Sequence, residues 1–134
     1  MITAEEISHK LSPLFDEAGL QLAILFGSVV TGSTHKKSDI DLAFLFDAPL
    51  DILDLTNKVI RILHADNVDV VDLRKASPLL RFSAIKHGKV LYESKPGIFN
   101  AFVSLAFRKF IDTKKFRDAQ ALSIKLFLHE RGVA

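Results

Sequence analysis

The sequence predicts an α/β or α+β domain in which a few strands are flanked by helices and a helical C-terminal section covers one side. Three observations carry this. Short apolar runs of strand length recur at Leu20–Phe26, Asp39–Phe46 and Val68–Leu73. Stretches with helical spacing of apolar residues separate them. After Pro96-Gly97 the chain runs from Ile98 to about Arg131 without proline or glycine, as a long helix would.

Taken in order, Thr3 and Glu6 form a capping box ahead of a helix whose face is Ile7, Leu11, Leu14, Phe15 and Ala18. Pro13 is expected to bend or divide that helix, and Gly19 to end it. Leu20–Phe26 is short, apolar and bounded by glycines, which favours a buried strand. Gly27, Ser28, Gly32 and Ser33 then force a turn that leads into a short helix. Asp39–Phe46 is the second strand. Pro49 opens a helix with Leu53, Val59, Ile60 and Leu63 as its apolar face. The third strand is Val68–Leu73. A short helix over Leu79–Lys86 ends at Gly88, and Lys89–Tyr92 is a last short strand. The C-terminal stretch carries Phe99, Phe102, Phe107, Phe110, Phe116 and Phe127, with a break expected near Asp112-Thr113. One domain spans 1–134, its core about 1–95 and its helical section about 96–134.

Composition narrows the function. The chain has 134 residues, 49% apolar and 25% charged, enough for a core without covalent staples. With no cysteine, disulfides, thiolate catalysis and cysteine zinc sites are excluded, and a reducing cytoplasm is favoured. The acidic N-terminus does not read as a signal peptide, and no apolar run reaches the ~20 residues of a membrane span. A formal net charge of +2 is too small to imply a polynucleotide-binding surface. The basic cluster Arg108, Lys109, Lys114, Lys115, Arg117 reads as a solvated helix face.

The chemistry concentrates between Gly27 and Asp41. On a strand, alternate side chains share a face, so Asp39 and Asp41 point together while Ile40 and Leu42 enter the core. Two like charges on a partly buried face are tolerated most readily when a cation lies between them. Oxygen-only ligands select a hard ion such as Mg²⁺. The Gly27-Ser28 turn supplies free backbone N–H groups, close approach and a hydroxyl for phosphate oxygens. A metal site beside a phosphate cradle is what phosphoryl-type transfer requires. For a third carboxylate there are two candidates, Asp69 and Asp72, which face opposite sides of a regular strand. Asp69 is favoured, because it lies inside the apolar run where a charge needs a reason.

Gly-Ser, ten residues, then Asp-x-Asp resembles the signature of the DNA polymerase β-like nucleotidyltransferase superfamily. Ser38-Asp39-Ile40-Asp41-Leu42, the Val68–Leu73 strand and the segment Pro78–Glu93 are similar to its minimal nucleotidyltransferase branch. That resemblance implies a small mixed sheet flanked by helices. It implies nucleotide binding by Gly27, Ser28 and Ser38, and Mg²⁺ ligation by Asp39, Asp41 and Asp69, with Asp69 as general base. It also implies a cytoplasmic antitoxin of a type VII pair, which transfers AMP from ATP to a tyrosine of a HEPN ribonuclease toxin. One departure is Val30-Thr31-Gly32, where many relatives have Ala-Arg-Gly and so a positive side chain near the phosphates.

A chain ending soon after its core is expected to receive its acceptor from a partner, and the Phe-rich C-terminal region is the candidate docking surface. Two other classes stay open: transfer to a small hydroxyl compound such as an aminoglycoside, and neutralisation by binding without catalysis. His35, Lys36 and Lys37 read as a solvated loop. Arg74 and Arg81 are weaker candidates to approach the nucleotide. His9, His64, His87 and His129 show no ligand spacing.

Overall fold

A computed structural model describes residues 3–27, 40–130 and 132. The N-cap bond of the predicted capping box forms: the Thr3 hydroxyl accepts from the Glu6 N–H at 3.2 Å, starting helix α1 (Ala4–Lys10). Pro13 divides this helical stretch rather than bending it, so α2 (Ser12–Phe15) follows as a separate turn with the proline in its first turn. The helix therefore stops at Phe15, and Ala18 lies exposed in the following turn instead of on the apolar face. Gly19 belongs to that turn, at φ +86°. A side chain there would meet the Asp47 carboxylate at 2.5 Å.

Strand β1 (Leu20–Phe26) is central and runs antiparallel to both β2 (Ile40–Phe46) and β4 (Lys89–Glu93). β2 pairs in parallel with β3 (Val68–Asp72) through the crossover helix α3 (Ile52–Leu63), giving a mixed sheet in the order β3-β2-β1-β4. Helix α4 (Pro78–His87) connects β3 to β4. Helices α5 (Ile98–Asp112) and α6 (Lys114–Glu130) follow, divided at Thr113 where the break was expected.

Each face of the sheet has its own core. Leu20, Ala23, Leu25, Leu42 and Phe44 pack on one side with Ile7, Leu11, Leu14, Leu55, Val59 and Leu63 from α1, α2 and α3. On the other side Leu22, Ile24, Ala43 and Leu73 pack with Ala84 of α4 and with Phe102 and Ala106 of α5. The α3 face thus runs through Leu55, Val59 and Leu63. Leu53 and Ile60, both expected inward, turn away: Leu53 is 68% exposed and Ile60 joins neither core, because at 100° per residue they lie roughly 120° and 100° from the centre of that stripe. Tyr92 lies on the first face, stacked on Phe15 with ring centroids 5.0 Å apart.

The C-terminal section splits in character. Phe102 is buried, and Phe110 stacks on Phe82 of α4 at 4.2 Å with the Arg117 guanidinium 3.8 Å from its ring centroid. Arg117 also bonds the Thr113 hydroxyl, so the α5–α6 corner is pinned from both sides. The Glu93 carboxylate accepts from the Phe99 N–H at 2.7 Å and satisfies the start of α5. α6, by contrast, buries none of its residues, so the covering expected of the C-terminal section comes from α5. Among the described residues, no helix is long and apolar enough to cross a membrane.

Truncating Phe44, fully buried at the centre of β2, should cost about 3–5 kcal/mol in urea unfolding. Leu53→Ala should stay within about 0.5 kcal/mol. Equal losses at the two positions would contradict the assigned phase of α3.

Candidate active site

One end of the sheet collects the candidate residues. β1 leaves the sheet there at Phe26 and Gly27, while β2 and β3 enter it. The strand register places Phe26 opposite Asp41, and Asp41 opposite Asp69. Residues paired across neighbouring strands share a face, and adjacent strands lie about 4.8 Å apart. Asp41 and Asp69 therefore project side by side from the face that α4 and α5 cover further along. Asp41 is half-buried on a strand whose other side chains are mostly core, and Asp69 is exposed on the edge strand.

Gly27 adopts φ +84°. A Cβ on it would meet the Asp41 carboxylate oxygen at 2.0 Å, closer than any side chain can come. The glycine is thus required twice, by its backbone conformation and by the acid against it. This brings the turn that ends β1 into contact with the acid that begins β2, through two positions 14 residues apart in the chain.

The two third-strand aspartates separate. Asp72 pairs with Phe44, three residues beyond Asp41, and so faces the other way. Its carboxylate accepts from the Arg74 N–H at 3.0 Å and closes the turn after β3. Arg81 is committed elsewhere too. Its Nε donates to the Leu73 carbonyl at 2.9 Å and its Nη2 to the Arg74 carbonyl at 2.8 Å. Those carbonyls lie at the far end of β3, roughly 13 Å along the strand from Asp69. Arg81 fastens α4 to the sheet, and Arg74 sits at the same far end; neither joins the acids.

Asp39, Ser28 and Ser38 lie outside the described residues, as do Thr31, Gly32, His35, Lys36 and Lys37. Among the described residues no group of three or more metal-ligating side chains occurs, so the described part of the candidate centre is the Asp41–Asp69 pair beside Gly27. Its oxygen-only donors suit a hard divalent cation. The sequence alone does not mark Phe26. It is half-buried and sits beside Asp41 on the same face, forming an apolar wall to the site. Its only signal is its place as the last apolar residue before the turn glycine.

Comparison with known proteins supports the same reading. The family model for the polymerase β nucleotidyltransferase domain matches residues 9–97. The protein adenylyltransferase MntA of Aphanizomenon flos-aquae is 29% identical over 127 residues, which cover 85% of this chain and 84% of that protein. A crystal structure of a toxin–antitoxin with AMP-PNP superposes with a TM-score of 0.79 at 30% identity, covering 88% of this chain and 98% of the matched one. A complex of a tri-AMPylated Shewanella oneidensis HEPN toxin with its MNT antitoxin gives a TM-score of 0.75 at 27% identity, covering 90% and 98%. The matched segment contains both strands that present the acids and the turn glycine that precedes them, and on that ground the chain belongs to the polymerase β nucleotidyltransferase family and is a nucleotidyltransferase.

Proposed function

We propose that this chain is the antitoxin of a HEPN/MNT pair and transfers AMP from ATP to a tyrosine of its HEPN toxin. The observation that carries the reading is the register of Asp41 against Asp69, with Gly27 closed onto Asp41, in a chain similar to MntA adenylyltransferases and to an MNT antitoxin solved with an AMPylated toxin.

The residues divide the work. The Gly27-Ser28 turn offers backbone N–H groups to the triphosphate, with Ser38 as a further nucleotide-binding residue. Asp39, Asp41 and Asp69 are the ligands for Mg²⁺. When bound, Mg²⁺ offsets the charge of the triphosphate and of the leaving pyrophosphate. Asp69 stands on the edge strand, accessible from solvent, where a partner's tyrosine can reach it. It takes the phenolic proton as the tyrosyl oxygen bonds to the α-phosphorus. The bond between the α-phosphorus and its bridging oxygen breaks, and pyrophosphate leaves. The protein's contribution is position and charge.

Mass spectrometry of the HEPN protein after incubation with this chain, ATP and Mg²⁺ should show whole adenylyl additions on tyrosine. Asp69→Asn should lower the rate about 100- to 10,000-fold, the range for loss of a general base. Asp39→Asn and Asp41→Asn should abolish transfer, as should EDTA, with Mg²⁺ restoring it. Asp72→Asn should keep near-normal transfer. Labelling that survives Asp41→Asn, or neutralisation of the toxin without labelling, would overturn catalysis as the mechanism. Transfer to an aminoglycoside with no HEPN protein present would replace the acceptor class.

Gly27→Ala gives a separate check. The added methyl must displace the Asp41 carboxylate or the turn, so transfer should fall at least 10-fold while the chain stays folded by circular dichroism. Wild-type transfer in that variant would remove the turn from the site.

A further inference from the structure

Helix α4 crosses the sheet diagonally. It leaves edge strand β3 at the end away from the acids and reaches the opposite edge strand, β4, at the end where the acids lie. α5 starts at the other end of β4, where Glu93 holds the Phe99 N–H, and packs on β1 and β4. It fills the corner on one flank of α4. The corner on the other flank lies over β2 and β3, and Asp41 and Asp69 stand in it.

The side chains of α4 divide between those flanks. At 100° per residue from the buried Ala84, Arg81, Ile85 and Phe82 lie roughly 60° to 160° round on one side. That side meets α5, since Phe82 stacks on Phe110 and the Arg81 guanidinium stands over the Phe102 ring. Leu80, His87 and Ser83 lie roughly 40° to 100° round on the other side, towards the acids. Of these three, Leu80 is half-buried, and Ser83 and His87 are exposed.

The position of His87 along the sheet is set by β4. Lys89 pairs with Leu25 in an antiparallel register, and Gly88 continues in extended conformation. One step back on β4 is one step forward on β1, so Gly88 comes level with Phe26 and His87 with the turn at Gly27. Gly88 is clamped there, because a Cβ on it would meet the Ala84 carbonyl oxygen at 2.0 Å and Ile24 Cγ2 at 2.4 Å. The turn at Gly27 is thus bordered by Asp41 on the β2 side and by His87 on the β4 side.

Neighbouring cations are committed elsewhere. Lys89 pairs with Glu5 of α1 at 2.9 Å, under the opposite face of the sheet. The Lys86 ammonium lies 5.8 Å from the centre of the Phe82 ring, on the α5 flank. Arg81 is bound to two backbone carbonyls. His87 makes no hydrogen bond or ion pair with the described residues.

We infer that His87 is a nucleotide-binding residue, whose imidazole N–H donates a hydrogen bond to the β- or γ-phosphate of the triphosphate seated at the Gly27 turn. A ring N–H is a donor in either protonation state of histidine. Asp41 and Asp69 serve the metal side of the triphosphate, and His87 serves the side over β1 and β4. This rests on the nucleotidyl-transfer reading for the ligand and for the turn, but not on which hydroxyl accepts the AMP.

Calorimetric titration of the full chain with Mg·ATP and with AMP, without a HEPN protein, tests this. His87 is exposed, so His87→Ala should unfold at the wild-type temperature. It should bind Mg·ATP about 10-fold or more weakly, the loss expected for a hydrogen bond to a charged group. AMP lacks the outer phosphates, and the wild type and His87→Ala should bind it alike. Lys86→Ala removes a neighbouring charge from the other flank and should stay within about 2-fold of wild type for Mg·ATP, since exposed charges are screened. Unchanged affinity of His87→Ala for Mg·ATP overturns the inference. So does a matching loss for AMP, which would place His87 on the adenosine or in the fold, and so does a wild type that binds no Mg·ATP. The expected loss, in a chain whose wild type leaves the HEPN protein unlabelled, upholds His87 and sinks the acceptor assignment alone.

Discussion

The parallel register of β2 and β3 is the constraint on which the site depends. Slipping β3 by one residue would turn Asp69 to the opposite face and set Val68 or Val70 beside Asp41. Two features hold that register. At the entry to the strands, the Ile40 N–H donates to the Asn67 carbonyl at 2.8 Å, and at the exit the Leu73 N–H donates to the Phe44 carbonyl at 3.0 Å. Between them α3 buries Leu55, Val59 and Leu63 against one face, so a slip would also drag the crossover out of its core. The geometry of two acids is thereby tied to the burial of a helix that touches neither.

The sheet separates stability from chemistry by face and by end. The face under α1, α2 and α3 is closed along its length. The other is covered by α4 and α5 over Leu22, Ile24 and Ala43, but it ends in the polar row of Asp41 and Asp69. Arg81 secures α4 to the far end of β3 through two backbone carbonyls, keeping the covering helix in place without a charge near the acids.

Much of this was legible in the sequence because it follows from local rules. The capping box at Thr3, the length of Leu20–Phe26 and the break at Thr113 each depend on a few neighbouring residues. The three-residue spacing of Asp69 and Asp72 already implied opposite faces, though only the pairing of Asp69 with Asp41 tells which face matters. Where sequence reading failed, the deciding partner was distant or the phase was ambiguous. Leu53 shares a loose stripe with Ile60 and Leu63, but the face that packs runs through Leu55, Val59 and Leu63, its centre about 120° round the helix from Leu53. Ala18 extends the first stripe only if Pro13 bends the helix instead of dividing it. The phenylalanine count could not say that Phe102 is buried and Phe116 is not, because burial on α5 and α6 depends on how far α4 reaches. The contact of Gly27 with Asp41 is a matter of space, which spacing along the chain does not encode.

Tyr92 is the only tyrosine in the chain. Its ring is stacked on Phe15 on the sheet face away from Asp41 and Asp69. On the proposed reading, an enzyme that modifies tyrosines has here placed its own beyond the reach of its own acids. On the proposed reading it can idle in ATP without consuming itself, so it is regenerated after each transfer. Its control of the toxin is then set by turnover, and a small amount of antitoxin suffices to modify a larger pool of toxin.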